Sequence, residues 1–171
     1  GTKFVAFDPM RNFASSKATE WIPIIPGTDG AVVLAMCNVI VNDLRIYDEK
    51  HVKLKTNGPY LVGEDGRYVR DGETGEPLMW DPIAAKAKVY DDPSIGDFAL
   101  EGEYEVEGKR CRPAFALVRE HLIEYTPEMA SRVSDVPAST IRRIATEFAE
   151  AASIGSTIVI DGHTLPHRPV S

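Results

Sequence analysis

Two short apolar runs near opposite ends of the 171-residue chain constrain its fold more than any other feature. Phe4–Asp8, "FVAFD", is continuously apolar until it meets Asp8 and Pro9. Ser156–Gly162, "STIVIDG", repeats the pattern with β-branched residues, then Asp, then Gly. Runs of this length without polar alternation read as strands buried on both faces, as in a parallel sheet. Helical patterns lie between them, so the chain reads as α/β: a Rossmann-like layer with a mostly parallel sheet, Phe4–Asp8 central in it, and Ser156–Gly162 as the return strand.

The helical patterns are distinct in character. Asp29–Leu44 is apolar on nearly every side, with Ala31 to Cys37 unbroken, and predicts a buried helix, covered by a sheet on one side and by another domain on the other. Asp48 is placed to cap a short helix, "EKHVKLK". Phe115, Val118, Leu122 and Tyr125 recur at helical spacing, and Thr126-Pro127-Glu128 is a helix start. Ile141, Ile144, Ala145, Phe148, Ala149 and Ala152 form one face of a last helix whose Arg142, Arg143, Glu147 and Glu150 point outward. From Pro59 to Gly108 the texture changes to turn signals, "EDGR", "DGETG" and "VEGK", between short apolar stretches, which predicts a β-rich excursion. The expected organisation is a first α/β half over 1–57, a β-rich acidic insertion over 58–112, and helices with the return strand over 113–171.

Composition narrows the function classes. With 43% hydrophobic and 26% charged residues the chain is an ordinary globular one. No apolar run reaches the roughly 18 residues of a membrane span, so direct membrane insertion is not expected. A net charge of −7 argues against a nucleic-acid binder, which needs clustered Lys and Arg. Glu64–Glu107 holds 13 acidic against 4 basic residues, a solvated face or a docking surface for a basic partner. Cys37 and Cys111, 74 positions apart, indicate neither a disulfide nor a metal site. The chain opens in "KFVAFD" without a basic-then-apolar leader, which reads as an excised piece of a longer protein.

The stretch most open to a functional reading is Trp21–Leu34, "WIPIIPGTDGAVVL". Pro26 ends an extended segment, Gly27 allows an unusual turn, and Thr28 or Asp29 sits where the first N–H groups of the apolar helix lack intrahelical partners. Either the Thr or Asp side chain caps its own helix, or the helix mouth presents donors to an anionic or polar ligand while the Asp29 carboxylate accepts a pair of hydrogen bonds. Guanine offers such a pair through N1–H and its exocyclic amine. Asp8 lies just past a strand, where ligands of open α/β sheets bind. No glycine-rich dinucleotide or P-loop pattern follows either strand. His51 and His121 fall on predicted helices as surface residues. His163 and His167 are four apart, but Pro166 breaks the helix that such ligation requires, and no metal site is read.

Two segments carry a family resemblance. "FVAFDPMRNFASSKATEWIPIIPGTDGAVVLAMCNVIVNDLRIYDEKHVKLKT" and, further on, "YTPEMASRVSDVPASTIRRIATEFA" resemble, in this order, the catalytic subunits of the dimethyl sulfoxide reductase family of molybdopterin oxidoreductases. That family has a strand ending in Asp-Pro-Arg, a Pro-Gly-Thr-Asp turn and an apolar helix. Here Met10 stands between Pro9 and Arg11, and Thr19-Glu20 stands where Ala-Asp is usual. The middle, "ALEGEYEVEGKRCRPAFALV", is similar to the branch with polysulfide and thiosulfate reductases and aromatic acyl-CoA oxidoreductases.

The resemblance implies a bis(molybdopterin guanine dinucleotide) cofactor with molybdenum. Its contacts here would come from Asp8, Pro9, Met10, Arg11 and Asn12 in the first loop and Gly27, Thr28 and Asp29 in the second. Asp29 would be the guanine reader, and Asp161, Gly162 and His163 would form a third approach after the late strand. It further implies an iron–sulfur cluster in a preceding part of the parent. The partners it implies are the parent's remaining domains and an iron–sulfur electron-transfer subunit, in a periplasmic or membrane-associated complex, with the cytoplasm left open. No catalytic residue is nominated, and the piece alone is expected to be inactive. Two other readings stand beside this one: a stand-alone module binding NAD or another nucleotide, and a non-catalytic interaction domain docking through Glu64–Glu107.

Overall fold

The computed structural model describes residues 2–167. In chain order the elements begin with β1 (Val5–Phe7), β2 (Glu20–Ile22), α1 (Asp29–Asn38) and α2 (Glu49–Lys55). The strands β3 (Leu61–Gly63), β4 (Leu78–Asp81), β5 (Lys86–Val89), β6 (Tyr104–Val106) and β7 (Lys109–Pro113) follow. Then come α3 (Ala114–Leu122), α4 (Pro127–Ser134), α5 (Ala138–Ala151), β8 (Thr157–Ile160) and β9 (His163–Pro166). The chain is α/β with small, mixed sheets. It forms two compact units, one of residues up to Tyr47 with those from His121 on, the other Asp48–Glu120.

In the first unit β1 and β2 pair in parallel, Val5 opposite Glu20 and Phe7 opposite Ile22. The link between them includes a single 3₁₀ turn at Ser15–Lys17, with Ser15 buried. Ile22 and Ile24 from the sheet side pack with Val32 and Ala35 of α1, Ala130 of α4, Val136, and Ile141 and Ile144 of α5. Local chemistry sets the helix starts. Thr126 Oγ1 accepts from Met129 N at 3.1 Å, with Pro127 in the first turn, where its missing N–H costs nothing. The amphipathic face read for α5 is the face buried, except that Phe148 is 46% exposed. The helix after Asp29 keeps α-geometry to Asn38, continues as a π-helical turn over Val39–Leu44, and stops at Arg45 in the left-handed region (φ 55°).

Two expectations, for β1 and for the late strand, are corrected here. β1 is half-buried, in a two-stranded sheet, and not a fully covered central strand. Within this chain α1 buries Val32 and Ala35 against α4 and α5 and leaves Val33 56% exposed on the side where another domain is expected. The late apolar run does form a strand, β8, but it pairs antiparallel with β9 instead of returning to β1. The cause is the dipeptide between them. Asp161 (φ 50°) and Gly162 (φ 80°) both take positive φ, as a two-residue hairpin turn matched to strand twist requires.

The second unit is antiparallel. β7 lies between β3 and β6, and β4 pairs with β5. Leu61, Leu78, Val106 and Cys111 form its core, with Trp80 stacked on Tyr104 at 4.4 Å between ring centres. α2 is capped as expected, with Asp48 Oδ1 accepting from His51 N at 2.9 Å. A buried ion pair holds the β4–β5 hairpin. Lys88 Nζ lies 2.7 Å from Asp81 Oδ2 and donates to Ser94 O at 2.6 Å, while Asp81 also accepts from the N–H groups of Ile83, Ala84 and Gly96.

Candidate functional site

Because β1 and β2 run in parallel, the chain segments that follow them leave from the same end of the pair. Those segments carry the first loop, Asp8–Asn12, and the turn Pro26–Asp29. Carboxyl ends of parallel strands are where α/β sheets bind ligands, since the loops there are free to vary while the strands hold them.

The first loop is built by its own side chains. Asp8 N donates to Ile22 O at 3.2 Å, continuing the sheet by one step. The Asp8 carboxylate accepts from Met10 N at 3.0 Å and from the Asn12 side-chain amide. Asn12 Oδ1 in turn accepts from Ala14 N (2.8 Å) and Ser15 N (3.0 Å). Asp8 and Asn12 are thus committed to shaping the loop. Pro9, Met10 and Arg11 are left exposed, Met10 at 74%. Among the described residues the Arg11 guanidinium has no hydrogen-bond or ion-pair partner.

The second loop leaves its polar groups open. Ile25 N donates to Ser134 O at 3.1 Å, fixing the approach to the turn against the end of α4. Gly27 has φ 81°, a conformation any side chain would strain, and a Cβ there would meet nothing within 4 Å. Thr28, the N-cap of α1, does not cap: its hydroxyl donates backwards to Ile25 O at 2.7 Å. Asp29 is exposed. Among the described residues neither its carboxylate nor the N–H groups of Asp29 and Gly30 have a partner. A free acceptor pair therefore sits beside free helix-entrance donors, which is a set suited to a polar heterocycle or an anion. The donor and acceptor chemistry fits a guanine base, whose edge presents two donors side by side.

The third expected group forms a hairpin turn. Asp161 and Gly162 are the two turn residues of the β8–β9 hairpin, and His163, the first residue of β9, pairs with Ile160. Their positive φ values are those of a two-residue hairpin turn, which favours Asp-Gly. Trp21 carries no signal of its own in the sequence, yet its indole Nε1 donates to Asp8 O at 2.9 Å, so it braces the first loop from β2. A cavity of about 440 Å³ over Val62, Cys111 and Leu117 lies in the second unit and includes none of the nominated residues.

No family model matches the chain. Among curated proteins, a sulfite dehydrogenase subunit of Allochromatium vinosum is 35% identical over 89% of this chain and 17% of its own length. The alpha subunit of the perchlorate reductase of Dechloromonas aromatica is 31% identical over 96% of this chain and 22% of its own. The molybdopterin-containing subunit of the arsenate respiratory reductase of Chrysiogenes arsenatis is 29% identical over 88% and 14%. The chain spans about a fifth or less of the length of these relatives. Matches that run through nearly all of this chain, to subunits of several such oxidoreductases, carry the assignment: the chain belongs to the dimethyl sulfoxide reductase family of molybdopterin oxidoreductase catalytic subunits.

Proposed function

We propose that this chain is an internal domain of the catalytic subunit of a larger molybdenum oxidoreductase, and that it binds one guanine dinucleotide arm of a bis(molybdopterin guanine dinucleotide) cofactor. The observation that carries the reading is the open turn at Gly27–Asp29, at the same end of the parallel β1–β2 pair as the Asp8–Asn12 loop. In this reading Asp29 accepts from the N1–H and exocyclic amine of guanine, and the Asp29 and Gly30 N–H groups donate to an oxygen of the ligand. Gly27 lets the backbone approach closely, and Arg11 offers a cation to the phosphates. Asp8, Asn12 and Thr28 shape the two loops.

When bound, the molybdenum centre supplies the two-electron redox chemistry, and the protein supplies binding and orientation. Cys37 and Cys111 sit in different units and cannot together supply a four-thiolate set, so an iron–sulfur cluster of the parent would be held by residues outside this chain. Its proposed partners are the parent's other domains and an iron–sulfur electron-transfer subunit. The test is Asp29→Asn in the full-length protein, which puts a donor where guanine also donates. Molybdenum and guanine nucleotide per polypeptide should both fall. Unchanged content of both overturns the reading.

A further inference from the structure

Four charged side chains, far apart in sequence, close into a ring of alternating sign. Lys3 Nζ lies 3.3 Å from Glu20 Oε2 and also contacts Glu147. Arg143 Nη1 lies 3.0 Å from Glu147 Oε1 and 3.1 Å from Glu20 Oε2, and its Nη2 contacts Glu20 Oε1. Each charge therefore has two neighbours of opposite sign. Arg143 and then Lys3 hold the Glu20 carboxyl below its ordinary range, and Lys3 and then Arg143 do the same to Glu147.

The positions of these residues matter more than the pairing. Lys3 stands two residues before β1, Glu20 is the first residue of β2, and Arg143 and Glu147 are one turn apart on α5. α5 is itself fixed in the core by Ile141, Ile144 and Ala145. The starts of both parallel strands are thus referenced to one rigid helix. Each strand has only three residues. Beyond them the register rests on a few further bonds, Phe4 O accepting from Thr19 N and Glu20 N, Phe4 N donating to Thr19 Oγ1, and Asp8 N donating to Ile22 O, to which the ring adds a tie to α5. A slip of one residue would turn every side chain to the other face and displace the following loop by about 3.3 Å.

We infer that Lys3, Glu20, Arg143 and Glu147 are positioning residues: the ring locks the register of β1 against β2 and so sets the spacing of the Asp8–Asn12 and Gly27–Asp29 loops. An isolated exposed ion pair does little. A closed ring restrains four side chains at once, and because it is exposed it is weakened by salt. The lock itself follows from the ring and the register, while its consequence for a ligand rests on the guanine-binding reading above.

The experiment uses the full-length protein freed of its cofactor, in wild-type form, as Glu20→Gln, and with the ring inverted by Lys3→Glu, Glu20→Lys, Arg143→Glu and Glu147→Lys together. Hydrogen exchange of the Asp8 backbone N–H, bonded to Ile22 O, and of the Trp21 indole N–H, bonded to Asp8 O, should quicken about three- to fivefold in Glu20→Gln, the range of one stronger exposed pair. The inverted ring should restore the wild-type rates, and about 1 M salt should bring the wild type toward Glu20→Gln. Backbone amides of α4 should not change in any of them. Unchanged exchange in Glu20→Gln, or an inverted ring that exchanges as fast as Glu20→Gln, overturns the lock. Guanosine, which has no phosphate of its own to be screened, serves as the ligand probe. Its affinity should fall with Glu20→Gln and recover with the inverted ring. If the wild type binds no guanosine, the nucleotide reading fails, and the exchange rates still decide the lock.

Discussion

The indole Nε1 of Trp21 donates to the backbone carbonyl of Asp8 at 2.9 Å, joining the second residue of one parallel strand to the residue that follows the other. Trp21→Phe keeps an aromatic ring and removes only the donor. The half-buried Asp8 carbonyl then loses its partner, at a cost of about 1 kcal/mol. Urea unfolding of the chain should give a lower midpoint with an unchanged slope. No shift in midpoint would mean that solvent replaces the indole without loss.

At Gly27 the backbone, not the space around it, sets the cost of a side chain. Gly27→Ala places a Cβ that meets nothing within 4 Å, yet forces φ 81° on an L residue. The expected destabilisation is about 1–2 kcal/mol. If this turn holds guanine as proposed above, guanine nucleotide content of the full-length protein should fall as the turn relaxes toward negative φ. Full stability together with full nucleotide content would show that the turn tolerates alanine.

Asp81 and Lys88 make the second unit sensitive to acid. The Lys88 ammonium, and after it the N–H groups of Gly96, Ala84 and Ile83, hold the Asp81 carboxyl far below the usual carboxylate range. A group whose folded pKa lies below its unfolded value of about 3.9 adds stability that is fully present above that pH and is lost as pH falls toward the folded value. Stability followed from pH 7 downward should therefore drop below about pH 4, and Asp81→Asn should flatten the drop. Lys88→Met alone should destabilise more than Lys88→Met with Asp81→Asn, because the single change leaves a buried charge without its counter-ion, whereas the amide is neutral and its oxygen can still accept from the N–H groups of Ile83 and Ala84. Equal effects would count against the pair as the cause.

In the first unit, Ile141 is fully buried between α5 and the sheet-side residues of the core. Ile141→Ala should cost about 2–5 kcal/mol, the range for deleting a packed aliphatic side chain. Thr126→Ala, which removes only the cap of α4, should cost about 0.5–2 kcal/mol. Thermal unfolding of both variants gives the comparison. A larger loss for the cap than for the core would contradict this packing.

What is legible in the sequence is local chemistry. The face of α5, the Thr126 cap followed by Pro127, and the Asp48 cap all depend on residues within a few positions of one another, and all are found. The partner of a strand is not local. Ile158–Ile160 is β-branched and apolar whether it joins a parallel layer or a hairpin. The Asp161-Gly162 dipeptide is the better guide to its pairing. At the candidate site the sequence points to Asp8 and Asp29 alike, yet the structure separates them: Asp8 spends its carboxylate on its own loop, and Asp29 keeps its carboxylate open. The alternating ring is invisible in the sequence because Lys3 and Glu147 meet across 144 positions, beyond the reach of any periodicity.

The π-helical turn at Val39–Leu44 gives the end of the long apolar helix a wider coil than its beginning. Shortening that stretch by one residue would let it tighten to ordinary pitch without breaking the apolar surface. Each residue of an α-helix advances the azimuth by about 100°, so the chain would leave Arg45 on a different bearing. Homologous proteins that lack this extra residue should launch the segment after it in another direction, even where the residues on either side are the same.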